Sequence, residues 1–507
     1  MRYTRAVPSA SKRASLALAL AVAALLSADC AVGDERSDLV VSTLTRADQV
    51  LARTRPALLA GKYARMAQRP YDFYRGTFAL FVEDARDPRS ALGRTRFAVD
   101  GPLPLALGDA HPENFGALIA GDGTLAIEPN DFDAADRWPY HWDLRRLVTG
   151  VLVGARESRA GDPAALDEWL RAEPDVARSI ARAYGDAVTD YATGAPLARL
   201  ESAGGEPVLD DVFRRSERDL AARAELGALT EIDASGARHL LRGAVDPADP
   251  QSVFADLPPF ARPAIDETIS AYRGTLLAPP PARALRVLDA VRQFGSGVAS
   301  WPRLRVLVLV AGATDGAEDD EVLELKELGD SGARAWFPPG LLARDVTGRI
   351  RRTSRAAWAR PDAEARWGTS TWLGLPVQVR RESEGQKNVR TARWTGARGT
   401  VEAIRGVGVA LARVLARIHS TWLDGVDAAT PIAETIARDP AGFADEQADV
   451  CGRYATQVED DRARFIEALR TRGPTLGVSP APGDAPPSDF AAVLGTPPTP
   501  TALPELP

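Results

Sequence analysis

Gly108-Asp109-Ala110-His111-Pro112-Glu113-Asn114-Phe115-Gly116 sets a carboxylate, an imidazole and a carboxamide in one polar loop directly after an apolar run at 104–107. That run reads as a short buried strand feeding the loop. Beyond it, 115–120 and 124–129 read as two strands joined by Gly121-Asp122-Gly123, turn chemistry that closes hairpins. The second strand runs into Asn130-Asp131-Phe132-Asp133, so the hairpin returns Asp131 and Asp133 to the loop that carries Asp109, His111 and Asn114. Hard oxygen donors converging in this way suit Mg2+ or Mn2+ rather than zinc. One Asp or Asn in a loop is usually there to cap a turn. Five such groups in one strand, loop and hairpin unit point instead to chemistry.

Around this unit the chain alternates between helical and extended patterns, an α+β organisation. Residues 34–104 are mostly helical, 142–156 form an amphipathic helix with Leu144, Leu147, Val148, Val151 and Leu152 on one side, and 160–290 read as several helices broken by Pro and Gly. Strand patterns return over 286–328 and 376–381, followed by helices over 401–421 and 443–472. Gly295 and Gly297 lie between strands, and Lys326 ends an alternating strand. Glycines in such a turn let backbone approach a phosphate closely, and a strand-borne lysine neutralises it. Ser300 stands where a third glycine would complete the loop. Only Lys12, Lys62, Lys326 and Lys387 are lysines among 62 basic residues, so a lysine at an interior position marks a need for a point charge that a guanidinium fork does not meet.

The 507 residues are 45% apolar and 26% charged, with 62 Lys+Arg against 69 Asp+Glu and a net charge of -7. This composition supports core for two or three domains and excludes fibrous, disulfide-stapled and polytopic membrane classes. An acidic balance without basic blocks also argues against nucleic acid as a partner. The basic start, the apolar run 14–28 and the small residues Ala31-Val32-Gly33 read as a secretory signal over 1–33. Its removal takes away four basic residues and one acidic residue, leaving 58 and 68 and a net charge of -10. The mature chain then has no transmembrane segment and is exported, to the periplasm or beyond. Cys30 marks the alternative of lipid anchoring, for which the preceding Asp29 is a poor fit. Cys451 reads as a small buried residue. Ten prolines fall in the last 35 residues, so 473–507 reads as a disordered tail.

With these residues in view, the sequence resembles a bacterial family known as domain of unknown function 2252, itself similar to the protein-kinase-like and aminoglycoside phosphotransferase superfamily. The matching stretches are KYARMA with FYRG (62–76), GDAHPENFG (108–116), NDFD (130–133), WDLRRL (142–147), the Gly295-Ser296-Gly297 turn, ELKE (324–327), VRRESEGQK (379–387) and ALARVLARIH (410–419). The resemblance implies that Asp109 orients the accepting hydroxyl and that Asn114, five residues later, binds metal together with Asp131, with Asp133 as a further contact. It implies that Lys326, with Gly295 and Gly297, holds the phosphates of ATP, that Mg2+ is required, and that Asp143 buttresses the loop. His111 either contacts phosphate or braces the backbone. No acidic partner for Lys326 is evident, and Glu327 reads as an exposed strand residue.

In a standard kinase the glycine loop and lysine precede the catalytic loop; here they follow it. The order implies a circularly permuted kinase-like fold: 34–290 as the helical and catalytic-loop part, 291–395 as the small β-rich part, and 396–472 as helices returning to the first. Permutation is tolerated where chain ends lie close together at the surface. The expected activity is a Mg2+-dependent phosphotransferase using a nucleotide and an unidentified hydroxyl acceptor. Two alternatives stand beside it. One is an exported kinase-like protein that binds without turnover, suited to a compartment poor in ATP. The other is a metal-dependent phosphatase, disfavoured because that chemistry wants several histidines and the chain has four, well separated in sequence.

Overall fold

In the computed structural model, residues 35–244, 252–330, 345–382, 385–479 and 506–507 are described. The expected leader, Cys30 and most of the proline-rich tail lie outside them. Among the described residues, no helix is long and apolar enough to cross a membrane.

The strand before the loop is β1, Leu105–Ala106, and the hairpin after it is β2, Phe115–Ile119, paired antiparallel with β3, Leu125–Pro129. The chain leaving β3 through Asn130 to Asp133 turns back into β4, Asp136–Arg137, which pairs with β1. Entry and exit of the unit are thereby tied together, and this closure brings the two ends of the motif side by side. A second hairpin joins β5, Thr230–Ile232, to β6, Arg238–Leu240.

The later strands build one antiparallel sheet of seven. They are β7 (Gly243–Ala244), β8 (Val253–Asp256), β9 (Val287–Phe294), β10 (Arg305–Val310), β11 (Glu321–Glu327), β12 (Gly368–Trp372) and β13 (Leu375–Arg381), in the order β12-β13-β11-β10-β9-β8-β7. Alternation gives the sheet two faces. Val306, Val308, Leu323, Leu325 and Val379 pack with Ile265, Ile269 and Tyr272 of the helix Arg262–Arg273. On the other face Leu307, Leu309 and Val322 lie under Leu226 and Leu240, next to a charged strip of Arg305, Glu324, Lys326 and Arg380 that the register puts side by side. The boundary expected between 290 and 291 falls inside β9; the helix Arg262–Arg273 packs on the same sheet, and β7 and β8 are strands of it. These strands are two and four residues long, too short for alternation to announce them.

The helices expected at 142–156, 401–421 and 443–472 are Tyr140–Glu157, Val401–His419 and Pro440–Arg472. With Pro163–Ala192 they enclose one core that runs from Val40 to Leu476 and takes in Ile350, Trp358 and Trp394. The C-terminal helices therefore share their core with the N-terminal part. Cys451 is fully buried within it.

Candidate functional site

Gly108 makes the loop possible. Its φ of +75° is one that a side chain resists, and a Cβ there would stand 2.6 Å from the carbonyl oxygen of Ala134. The N–H groups of Leu107 and Gly108 donate to the two carboxylate oxygens of Asp143, at 2.6 and 2.7 Å. Asp143, in the first turn of the helix Tyr140–Glu157, is fully buried. Nε2 of His419, the last residue of the helix Val401–His419, lies 3.3 Å from Asp143, and its Nδ1 lies 2.7 Å from the Tyr184 hydroxyl. The end of that C-terminal helix is thus fastened beneath the start of the loop.

On this support Asp109 presents its carboxylate. Arg146 Nε donates to Asp109 Oδ1 at 2.7 Å, while the guanidinium lies 3.8 Å from the centre of the Tyr74 ring and donates to the Tyr74 carbonyl. Burial nevertheless raises the Asp109 pKa, outweighing Arg146. The side-chain nitrogen of Asn114 donates to the Asp109 carbonyl at 2.8 Å, a bond that does not use its amide oxygen. His111 is buried, its Nε2 is 4.0 Å from Asp109 and its Nδ1 has no partner. Burial first, and Arg75 and Arg146 next, hold its pKa well below the usual histidine range, so the ring is neutral. The backbone carbonyl of His111 accepts from the Asn114 N–H at 2.9 Å.

From the sheet, Lys326 Nζ reaches Asp131 at 3.2 Å and Asp133 at 3.1 Å. These two carboxylates are the acidic partners that the sequence did not reveal. Burial alone would raise the Asp131 pKa, yet the Lys326 ammonium holds it below the usual range; burial would lower that of Lys326, yet Asp131 and Asp133 hold it up. Glu327, expected to be exposed, is instead buried and accepts from both Arg55 terminal nitrogens, at 2.6 and 3.1 Å, and from the Leu304 N–H. Its partner comes from the distant N-terminal segment, which strand alternation does not reveal.

Asp109, His111, Asn114, Asp131 and Asp133 line one cavity of about 440 Å3, and Val298, Ala299 and Ser300 close it from the glycine turn. Gly295 and Gly297, with φ of +75° and +79°, shape that turn but do not line the cavity. Three features went unassigned in the sequence: Arg146 of WDLRRL, Arg75 of FYRG, and Lys62 of KYARMA, which pairs with Asp48 in the cavity wall. Each stands in a matched stretch, but an arginine or lysine on a helix face gives no signal of what it meets. Among the described residues no three His, Cys, Asp or Glu side chains are grouped as metal ligands. The donor set available is two Asp and one Asn, and Asp133 Oδ1 is buried without a partner, which suits a hard cation completed by phosphate oxygens and water.

A family model described as an uncharacterized protein conserved in bacteria, domain of unknown function 2252, matches residues 53–468. The chain belongs to this family. The match of this domain of unknown function 2252 protein spans the loop over 108–116, the sheet and the helix ending in His419. No curated protein and no solved structure matches the chain.

Proposed function

We propose that this domain of unknown function 2252 protein is a Mg2+-dependent nucleotide phosphotransferase with a circularly permuted, kinase-like fold. One observation carries the reading. Lys326, from a strand nearly two hundred residues downstream, pairs with Asp131 and Asp133, which with Asp109 line a cavity rimmed by the glycine turn. The contact of His419 with Asp143 supports the permuted order, because it joins the end of a late helix to the start of an early loop.

In this reading the acceptor hydroxyl lies against Asp109. Its oxygen forms a bond to the γ-phosphorus of ATP as the bond from that phosphorus to the β,γ-bridging oxygen breaks. The hydroxyl proton passes to Asp109 and ADP leaves. The raised pKa of Asp109 favours taking that proton, and Arg146 fixes the direction of the carboxylate. Lys326 holds phosphate oxygens, while Asn114, Asp131 and Asp133 hold Mg2+, which neutralises charge on the phosphates. Positioning of this kind, with little covalent chemistry from the protein, is what phosphoryl transfer needs.

The alternative of an exported protein that binds without turnover draws on one feature: Lys326 already pairs with both carboxylates. Asp109→Asn separates the two. Assayed for phosphate release and transfer alongside calorimetric titration with ATP and Mg2+, it is expected to keep binding and to lose turnover about 100- to 10,000-fold, the usual contribution of a positioned base. Equal turnover in wild type and Asp109→Asn would overturn the assignment.

A further inference from the structure

We infer that the cavity beside Asp109 admits a small, uncharged alcohol with an apolar body, received by the N-terminal helices. The inference rests on the phosphotransferase reading for the role of the hydroxyl, but not for the binding itself.

The cavity has two unlike ends. One is the cluster of Asp109, Asn114, Asp131 and Asp133. The other is built from the helix over 35–47, Gln49–Thr54 and Phe78–Arg86, and there Leu44, Leu51, Phe78, Val82 and Trp138 form its wall. Leu44 and Val82 are buried in the core, and the Phe78 and Trp138 rings pack edge to face at 6.0 Å, so the wall is preformed. The charges within it are mutually neutralised. Lys62 Nζ donates to both Asp48 oxygens, at 2.8 and 2.6 Å, and Arg46 pairs with Glu83 at 2.7 Å. Paired in this way, Lys62 and Arg46 offer no free counter-ion to a phosphorylated or carboxylated acceptor, and Arg75 is paired with Glu113 at 3.1 Å. Around the cavity as a whole six carboxylates face four cationic side chains, Arg303 among them; apolar side chains bind by excluding water. About 440 Å3 falls in the range of small-molecule pockets, which sets the body of the acceptor at the size of a small molecule. The buried Lys62–Asp48 pair is costly to retain in an apolar wall when a hydrophobic pair would pack as well. There a second hydroxyl or carbonyl of the acceptor finds both a donor and an acceptor.

The test uses the full chain with three probes, 4-phenylbutan-1-ol, glycerol and glycerol 3-phosphate, each titrated by ligand-observed NMR. Wild type, Ala79→Trp and Phe78→Ala are compared. Ala79 lines the cavity from a partly exposed helix position, so a tryptophan there fills the apolar end; Phe78→Ala empties it and covers the case in which the larger residue disturbs folding. The phenyl alcohol is expected to bind wild type more tightly than either polar probe. Both variants are expected to weaken it by about tenfold or more, the loss that follows from one buried aromatic contact. Equal binding in all three proteins, or tighter binding of glycerol 3-phosphate, would overturn the inference. ATP with Mg2+ is titrated in parallel: alcohol binding without nucleotide binding upholds the pocket and sinks the phosphotransferase reading, and nucleotide binding without alcohol binding does the reverse.

Discussion

Asp143 shows how one buried carboxylate sets the geometry of the site. It accepts the N–H groups of Leu107 and Gly108 and faces His419, all out of contact with water. Asp143→Ala would leave two buried donors without acceptors, each costing about 1–3 kcal/mol. Urea unfolding is expected to show a loss of about 3 kcal/mol or more on that basis, while an unchanged midpoint would mean that the loop is held elsewhere. The convergence of the loop's polar residues was legible because the hairpin after the loop returns the chain to it. Asp109, His111, Asn114, Asp131 and Asp133 all reach one cavity. Arg146 was not legible in the same way: its role depends on stacking against Tyr74, about seventy residues away, and nothing in a helix-borne arginine announces which carboxylate it will meet.

At the scale of elements, the helix Pro56–Gln68 fastens the glycine turn to the helical part. Gly61 lets it approach, since a Cβ there would come 2.3 Å from Trp301 Nε1. The Arg65 guanidinium stacks 3.9 Å from the Trp301 ring centre and donates to the Gly297 carbonyl. Gly61→Val overpacks this contact and is expected to destabilise by about 1–3 kcal/mol in denaturant unfolding; no loss would mean that the turn moves freely away from the helix. A second fastening joins the helix Pro207–Ala222 to residues 391–398. Hydrogen bonds from Arg393, and then from Arg215, hold the Asp211 carboxyl down at a pKa of about 2, against an ordinary 3.8. A group whose pKa is lowered on folding adds stability above its unfolded pKa and gives it up as pH falls through the folded one. The urea midpoint is therefore expected to fall between pH 4 and pH 2 by more in wild type than in Asp211→Asn. Equal falls would remove the cluster from the account of acid stability. Long periodic helices and the Gly-containing hairpin were readable from pattern alone; the short strands β7 and β8 and the burial of Glu327 were not, because each is decided by a partner far along the chain.

At the scale of the whole molecule, parts far apart in the chain converge. A loop near residue 109, a lysine at 326 and a helix ending at 419 come from three separate stretches, and side-chain contacts bind them: Lys326 to the half-buried Asp131, and the fully buried pairs of His419 with Asp143 and Arg417 with Glu128. The α+β character and the sequence order of these parts could be read from the chain. Their convergence required the pairing of β1 with β4 and the seven-stranded sheet, which no local pattern specifies. The measurement that tests the central claim most directly is thermal unfolding of the full chain with and without ATP and Mg2+, on wild type, Lys326→Ala and Asp131→Ala. A ligand that binds only the folded state raises the midpoint by mass action. The account expects a shift in wild type that needs both nucleotide and Mg2+ and disappears in both variants. A wild-type midpoint indifferent to nucleotide, or shifts that survive both substitutions, would contradict it.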